Sequence, residues 1–540
     1  MCGIFGILNN NQSDNIVSDC FLKGKKRGPE MSVLTNINEN TIFGFHRLAI
    51  NGLNAGANQP LTVEQCILIC NGEIYNYKEL YKESGCTATT ESDCEIIIHL
   101  YLKYGIQQTL HVLDGEFAFA LYDTKQNKLF LARDPYGVRP LYLFHDIHTF
   151  NNTIGFASEL KCLNNLQKPY DKTHSPVSHF KPGTYSEYTY KDYWKLYLQN
   201  ISYNMPSLFQ NTDINYSENL CKYLNLAVKK RVENTDRPVA CLLSGGLDSS
   251  LVAALACKYY KGTLETYSIG LEGSEDLKYS QIVADHIGSK HTQIVVSSEE
   301  FFDVIPEVIK SIESYDTTTV RASVGNWLIG KYIREHSEAK VILNGDGADE
   351  LMGGYMYMHF APDSIEFDKE CRRLLEDIHM FDVLRSDKCI SSHGLEPRTP
   401  MLDRSFVMYY LSIPREERCK GVMEKFLIRK AFDVYEPVLL PQEVLWRTKE
   451  AFSDGVSSKE KSWYLITQEY ITNIINDETF DKWAYSVVYS YNNPITEEQK
   501  YYRYIFENYY RDTGKVVPYF WMPKYVEAKD ASARTLKNYK

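Results

Sequence analysis

A chain of 540 residues, 44% hydrophobic and 24% charged, is too long for one hydrophobic core and too ordinary in composition for a disordered or fibrous protein, so two large domains are expected. Its formal charge of −11 opposes wrapping a polyanion, which takes clustered Lys and Arg. The short basic runs at 23–27 and 229–231 therefore read as solvated faces, with no nucleic-acid partner. No apolar stretch approaches the ~20 residues of a membrane span, the thirteen cysteines lack paired or metal-ligand spacing, and the amino terminus shows no leader pattern; the expectation is a cytoplasmic protein with free thiols and no membrane partner.

Strands dominate residues 2–190. Those at 41–50, 65–70, 116–122 and 128–133 are short, rich in Phe, Ile and Leu, and partly alternating, with 123–127 closing the last two into a hairpin. Residues 93–104 carry apolar side chains at helical spacing, so this half reads as antiparallel sheets covered by helices. Residues 191–215 read as a linker, being polar around Pro206 and without a clear period over 200–215. From 216 to 540 the rhythm changes. Strands at 239–243, 266–271, 293–296 and 341–343 alternate with helices at 249–260, 277–287, 299–312 and 324–335, the pattern of a doubly wound parallel sheet. Beyond Asp349 the pattern is mostly helical, and no internal repeat is found.

The first chemical signal is Cys2. Removal of Met1 leaves its thiol beside its own α-amino group, whose pKa of roughly 7.7–8.0 makes it a usable base near neutrality. Alone, this cysteine reads as an apolar residue opening a strand, and the Asn-Gly of NGEIYN (71–76) reads as a turn. The second signal is SGGLDSS (244–250), set between the apolar run VACLL and an amphipathic helix. Glycines there let backbone approach a pyrophosphate, and the helix start offers unpaired N–H groups and the positive end of its dipole. Ser244 and Ser249 add hydroxyl donors, and Asp248 offers a carboxylate to magnesium. The loop lacks the GxxxxGK of a P-loop. A further acidic cluster, NGDGADE (344–350), follows the strand at 341–343 at another carboxyl edge, where doubly wound sheets bind ligands. That places Asp248 and Asp349 to share one Mg2+.

Taken together, CGIFGI, HRLAI (46–50), NGEIYN and SDCE (92–95) resemble an amino-terminal-nucleophile glutamine amidotransferase. The resemblance implies Cys2 as nucleophile, with Asn71 (side-chain amide) and Gly72 (backbone N–H) as oxyanion hole. It puts Arg47 on the glutamine α-carboxylate, Asp93 on its ammonium, Glu73 at the amide, and the backbone of Leu48 and Ile50 along the pocket. RDPYGVRPLY (133–142) belongs to the same likeness and is assigned no catalytic role. SGGLDSS looks like the pyrophosphate loop of ATP pyrophosphatases, which make adenylates, while YDTTTVRAS (315–323) and WRTKEAFSDG (446–455) resemble asparagine synthetases. This likeness implies Leu243, Ser244, Gly245, Gly246, Asp248, Ser249, Ile269, Asn344, Gly345 and Lys449 around ATP. It also implies Arg321 on the substrate α-carboxylate, Thr318 and Thr319 hydrogen-bonding nearby, and Asp346 as a catalytic acid.

By this resemblance, which covers about residues 2–465, the fold is a four-layer αββα Ntn-hydrolase glutaminase domain followed by a doubly wound parallel α/β ATP-pyrophosphatase domain with added helices. The implied reaction is glutamine-dependent, ATP-driven amidation of aspartate through a β-aspartyl-adenylate, with glutamine, aspartate and ATP as substrates and Mg2+ as cofactor; a homodimer follows by analogy alone. In one departure, the family's usual Ser-Gly-Glu-Gly is here Asn344-Gly345-Asp346-Gly347, which shortens the catalytic acid by a methylene. Two other readings are a β-lactam-synthetase-like or other adenylating relative, and a catalytically weakened glutamine- or nucleotide-binding sensor. Retention of Cys2, Arg47, Asp93 and YDTTTVRAS opposes the first; Asp346 is the feature that favours the second.

Overall fold

The computed structural model describes residues 2–145, 152–166, 177–204, 215–421, 423–449, 456–457, 462–474 and 491–532. Among the described residues, twelve strands build the first half: β1 (Gly3–Leu8), β2 (Met31–Asn38), β3 (Thr41–Arg47), β4 (Leu61–Val63), β5 (Cys66–Ile74), β6 (Gly115–Asp123), β7 (Lys128–Arg133), β8 (Tyr142–His145), β9 (Ile154–Ala157), β10 (Val177–His179), β11 (Thr184–Tyr190) and β12 (Trp194–Ser202). They form two antiparallel sheets, ordered β10-β8-β9-β1-β3-β2 and β12-β11-β7-β6-β5-β4. Strand periodicity divides the side chains between layers. Ile69, Ala118, Ala120, Leu129 and Leu131 meet Ile4, Phe43 and Phe45 between the sheets. Their alternates Leu68, Cys70, Phe117, Phe119 and Phe130 pack outward against Leu80, Ile97 and Leu100, which lie on helices Tyr77–Ser84 and Ile96–Val112. Helix Asp14–Leu22 covers the other sheet, with Val17 and Phe21 in the core that holds Phe5 and Ile7. The four layers are thus helix, sheet, sheet, helix.

The second half is built on β13 (Val239–Leu242), β14 (Glu265–Leu271), β15 (Lys290–Val296), β16 (Val341–Leu343) and β17 (Glu396–Arg398), all parallel and ordered β15-β14-β13-β16-β17. Both faces are covered, as a parallel sheet requires. Val239, Cys241, Val341 and Leu343 face one core, and Ala240 and Ile342 face the other. Chain order reverses between β13 and β16, so the loops leaving these two strands open onto the cleft where such sheets bind ligands.

Several elements depart from the sequence reading. Residues 194–202, expected within a linker over 191–215, form β12 on the sheet edge, where Trp194 is buried while Leu196 and Tyr197 are exposed. Residues 205–214, including Pro206, lie outside the described residues. The helix expected over 299–312 is two, Ser298–Asp303 and Ile305–Ile312, because Pro306 has no N–H to continue the first. The helix expected from Val324 begins at Thr317, capped by Asp316, whose carboxylate accepts from the Thr319 N–H. Among the described residues, no helix is long and apolar enough to cross a membrane.

The two halves meet across buried charge. Arg231 is 2% exposed and binds Glu116 at 2.9 Å and Asp403 at 2.8 Å, while Arg139 reaches Glu116 at 3.1 Å and donates to the Pro397 carbonyl at 2.9 Å. Arg27 pairs with Glu159 at 2.7 Å and with Asp387 at 2.6 Å. Removing one member of such a set strands the others without water. Arg231→Met is expected to lower stability by about 3 kcal/mol or more, seen as a lower urea midpoint for the first unfolding transition; an unchanged midpoint would show that Arg139 and Lys230 neutralise Glu116 and Asp403 without it.

Candidate active sites

The first site lies where the two antiparallel sheets adjoin at β1 and β5. Cys2 precedes β1; its backbone nitrogen donates to Asn71 Oδ1 at 3.1 Å, its Sγ lies 3.6 Å from the Leu48 carbonyl, and its own carbonyl accepts from Arg27 Nε at 3.0 Å. Burial pushes the thiol up to about 11, so a base is needed to make the thiolate. Asn71 and Gly72 do not turn the chain. They sit inside β5, opposite Ala118 and Phe117. A Cβ on Gly72 would come within 2.6 Å of the Glu116 carbonyl and 2.7 Å of Phe117 Cα, so glycine is what keeps this strand close to its neighbour.

Two buried charges in this site have no ion pair among the described residues. Arg47, 7% exposed, donates to the Asn54 and Gly52 carbonyls and to Asn58 Oδ1. Asp93, 4% exposed, accepts from the Ile74 N–H at 2.7 Å; burial raises its carboxyl to about 6, against the Ile74 hydrogen bond. Buried charges are normally paired. A cation and an anion lacking ion-pair partners make a receptor for a zwitterion. Glu73 receives Asn51 Nδ2 and lies 3.4 Å from Arg398 Nη2, with burial, then Asp93 and Glu396, raising its carboxyl well above the usual range. The Ile50 carbonyl accepts from the Asp236 N–H at 3.0 Å, tying the pocket wall to the second domain.

The second site is a cavity of about 180 Å³ at the carboxyl ends of β13 and β16. Leu243, Ser244, Gly246, Asp248, Ser249 and Ile269 line it from one side and Asn344, Gly345, Asp346, Asp349 and Lys449 from the other. The loops fit because of glycine. Gly245 has φ +73°, and a Cβ there would meet the Ser280 nitrogen at 2.4 Å; one on Gly345 would meet the Asp248 carbonyl carbon at 2.8 Å. Lys425 Nζ bridges Asp248 Oδ2 and Asp349 Oδ1, and Lys449 Nζ binds Asp349 Oδ2 at 2.6 Å. Burial would raise Asp349, but Lys425 and Lys449 outweigh it and hold the carboxyl far below its usual range. Arg385 Nη2 donates to Asp346 Oδ1 at 3.0 Å and to Asp382 Oδ1 at 2.9 Å. Glu350 beside them is 3% exposed and raised well above the carboxylate range by burial, then by Asp382 and Asp349.

One residue touches both sites: the Arg398 carbonyl accepts from the Asn344 N–H at 3.2 Å while its guanidinium faces Glu73.

The model of the glutamine amidotransferase domain matches residues 1–201, and that of asparagine synthase matches 219–366 and 361–504. The asparagine synthetase [glutamine-hydrolyzing] of Gallus gallus is 43% identical over 100% of this chain and 99% of its own; that of Homo sapiens is 42% identical with the same coverage. The chain belongs to the glutamine-hydrolysing asparagine synthetases. Among solved structures, the allosteric regulatory enzyme of purine biosynthesis matches at 16% identity over 54% of this chain and 80% of that one, with a TM-score of 0.32, too slight a likeness to locate anything here.

Full-length membership in the asparagine synthetases sets aside the β-lactam-synthetase reading, but the structure redistributes the aspartate-site residues. Thr318 lines the cavity, and its Oγ1 is buried without a hydrogen-bond partner. Thr319 Oγ1 is spent on Asp316 at 2.8 Å. Arg321 is not at the cavity: its guanidinium binds Glu498 at 2.8 Å and Asp530 at 2.7 and 2.8 Å. Helical phase explains this. With the helix starting at Thr317, Thr318, Ala322, Asn326 and Ile329 form the cavity face, and Arg321 lies about a quarter-turn away. Gly245 supports the loop from behind without lining the cavity. Sequence reasoning missed Arg385, Asp382, Glu350 and Lys425. The first two come from helix Asp382–Ser391, read only as part of a helical stretch. Glu350 was quoted within NGDGADE and given no role.

Proposed function

We propose that the chain makes asparagine from aspartate at the expense of ATP, with ammonia drawn from glutamine at Cys2. What supports this most directly is the union, in one chain, of a thiol site with an unpaired Arg47 and Asp93 and a switch-point cavity with two carboxylates sharing lysine cations. Once Met1 is removed, the Cys2 α-amino group takes the thiol proton and Sγ attacks the glutamine carboxamide. Gly72 N–H and Asn71 Nδ2 hold the oxyanion, ammonia leaves, and water hydrolyses the thioester to glutamate. In the cavity the aspartate β-carboxylate attacks the α-phosphorus of ATP and pyrophosphate departs. Ammonia then attacks the acyl carbon of the β-aspartyl-adenylate, AMP leaves, and Asp346 receives the proton.

Asp248 and Asp349 suit magnesium. They are close enough to share the Lys425 ammonium, and Asp248 Oδ1 is buried without a hydrogen-bond partner; the ion prefers one or two carboxylates plus phosphate oxygens. Bound there, it would supply charge neutralisation on the departing pyrophosphate. Lys449 lies on the same carboxylates and would hold the phosphates with it. In place of Arg321, Arg385 would take the aspartate α-carboxylate, since its hydrogen bonds to Asp346 and Asp382 use only Nη2. Ammonia must stay out of bulk solvent, where it protonates, so we place its path inside the interface that Arg398 spans, in a cytosolic enzyme.

Aspartate-dependent release of pyrophosphate from MgATP tests the synthetase half; its absence would end this reading of the cavity. Asp93 gives a pH test of the other half. Its carboxyl titrates near 6, so it is charged above that pH and loses the glutamine ammonium below it. The KM for glutamine is expected to rise severalfold from pH 7.5 to about 5.5, separately from the fall in kcat as the α-amino base protonates, and Asp93→Asn should flatten the rise in KM. A KM indifferent to pH in the wild-type enzyme would remove Asp93 from substrate binding.

A further inference from the structure

Away from both sites, the domain interface encloses a cavity of about 480 Å³, within the size range of small-ligand pockets. Its lining is basic in a chain of net charge −11. Among the described lining residues are seven cations, Lys23, Lys25, Lys26, Arg27, Lys161, Lys310 and Lys388, and two carboxylates, Glu159 and Glu307, with Glu313 and Asp387 also pairing with the deep cations.

The deep cations are already paired. Arg27 and Lys388 are 2% and 1% exposed. Arg27 is held by Glu159 and Asp387, Lys388 by Glu159 and Glu313, and Lys161 by Glu159 at 2.8 Å and Glu313 at 3.5 Å. Lys310 reaches Glu307 at 3.1 Å. Lys23, Lys25 and Lys26 make no ion pair among the described residues. They stand on consecutive turns after helix Asp14–Leu22, fixed by hydrogen bonds from Gly24, Lys25 and Arg27 N–H to the Phe21, Leu22 and Gly24 carbonyls. Lys23, Lys25 and Lys26 thus line one concavity without an ion-pair partner among the described residues. Tyr509 forms part of the opposite wall with 38% of its surface exposed, and the Lys310 ammonium lies 5.3 Å from its ring centroid.

We propose that this cavity binds a small anion carrying two or more linked phosphate groups. Ammonium groups act as point-charge partners for phosphate oxygens, and three unpaired lysines over a paired basic floor match a charge of about three. A carboxylate metabolite with one negative charge would leave most of that field unanswered. The ligand would rest against Arg27, which donates to the Cys2 carbonyl and pairs with Asp387 on the helix carrying Arg385, so the site adjoins the contact between the two halves without belonging to either active site.

The test uses the full chain and inorganic tripolyphosphate in magnesium-free buffer, with acetylation of each lysine read by mass spectrometry. Tripolyphosphate is expected to protect Lys23, Lys25 and Lys26, whether or not it also protects Lys425 and Lys449 in the nucleotide cavity. Calorimetry on Lys25→Glu/Lys26→Glu, at two exposed positions, should show the interface site weakened roughly tenfold or more while protection of Lys425 and Lys449 stays as in wild type. Ammonium-dependent asparagine formation at the wild-type rate shows that the variant is folded. Protection confined to Lys425 and Lys449, no protection at any lysine, or an unchanged binding isotherm in the double variant would each overturn the proposal.

Discussion

Cys2→Ala is expected to cut glutamine-dependent asparagine formation by about a thousandfold or more while leaving ammonium-dependent formation near the wild-type rate. The thiol is buried against the Leu48 carbonyl, with its carbonyl pinned by Arg27 and its nitrogen by Asn71. Replacing Sγ by hydrogen removes the nucleophile and leaves each of those backbone contacts in place, so the adenylating cavity should not sense the change. Burial holds the thiol near 11, which makes the chemistry depend on a base. Uncleaved Met1 should therefore mimic the variant, because an acylated nitrogen cannot accept the proton. Chromatographic assay of asparagine with each nitrogen source checks this. Equal loss with glutamine and with ammonium would mean that Cys2 serves the whole fold and not one site.

Asp346→Ala is expected to show the opposite pattern: asparagine formation falls about a hundredfold or more with ammonium as with glutamine, while the first turnover of aspartate-dependent pyrophosphate release and the hydrolysis of glutamine persist. Asp346 projects into the cavity from a loop that Gly345 packs against Asp248, and Arg385 orients its carboxylate at 3.0 Å. The family's usual residue there is a methylene longer. Here the Arg385 contact is made by the shorter side chain, so catalysis rests on how the loop and helix Asp382–Ser391 meet. Asp346→Asn keeps the shape and removes the charge; the same loss in that variant would assign the effect to proton handling. Asparagine formation at the wild-type rate in either variant would remove Asp346 from the reaction.

Much of the architecture was legible because burial leaves periodic traces. Alternating apolar residues in β5, β6 and β7 sort into two cores by parity, and the short runs of β13 and β16 are apolar on both faces. The SGGLDSS and NGDGADE loops were legible because close backbone approach demands glycine at Gly245 and Gly345. What stayed hidden has no local pattern. β17 is Glu-Pro-Arg, three residues without an apolar one, and is a strand only because β16 offers an edge. Arg321, whose role the resemblance implies, does not line the cavity here, and its partners Glu498 and Asp530 are distant in sequence. Arg385 and Lys425 reach the cavity from helix Asp382–Ser391 and from the cap before Phe426–Tyr435. Nothing in their own neighbourhoods announces a ligand.

If one turnover joins the two sites, product stoichiometry with amide-15N glutamine reads the coupling. With aspartate, MgATP and excess unlabelled ammonium at a pH where the glutaminase is active, the expected result is equal amounts of AMP, pyrophosphate and asparagine, no less glutamate than labelled asparagine, and 15N in the asparagine amide well above its share of free ammonia. Glutamate formed without aspartate-dependent pyrophosphate, or asparagine labelled only in proportion to the bulk pool, would contradict it.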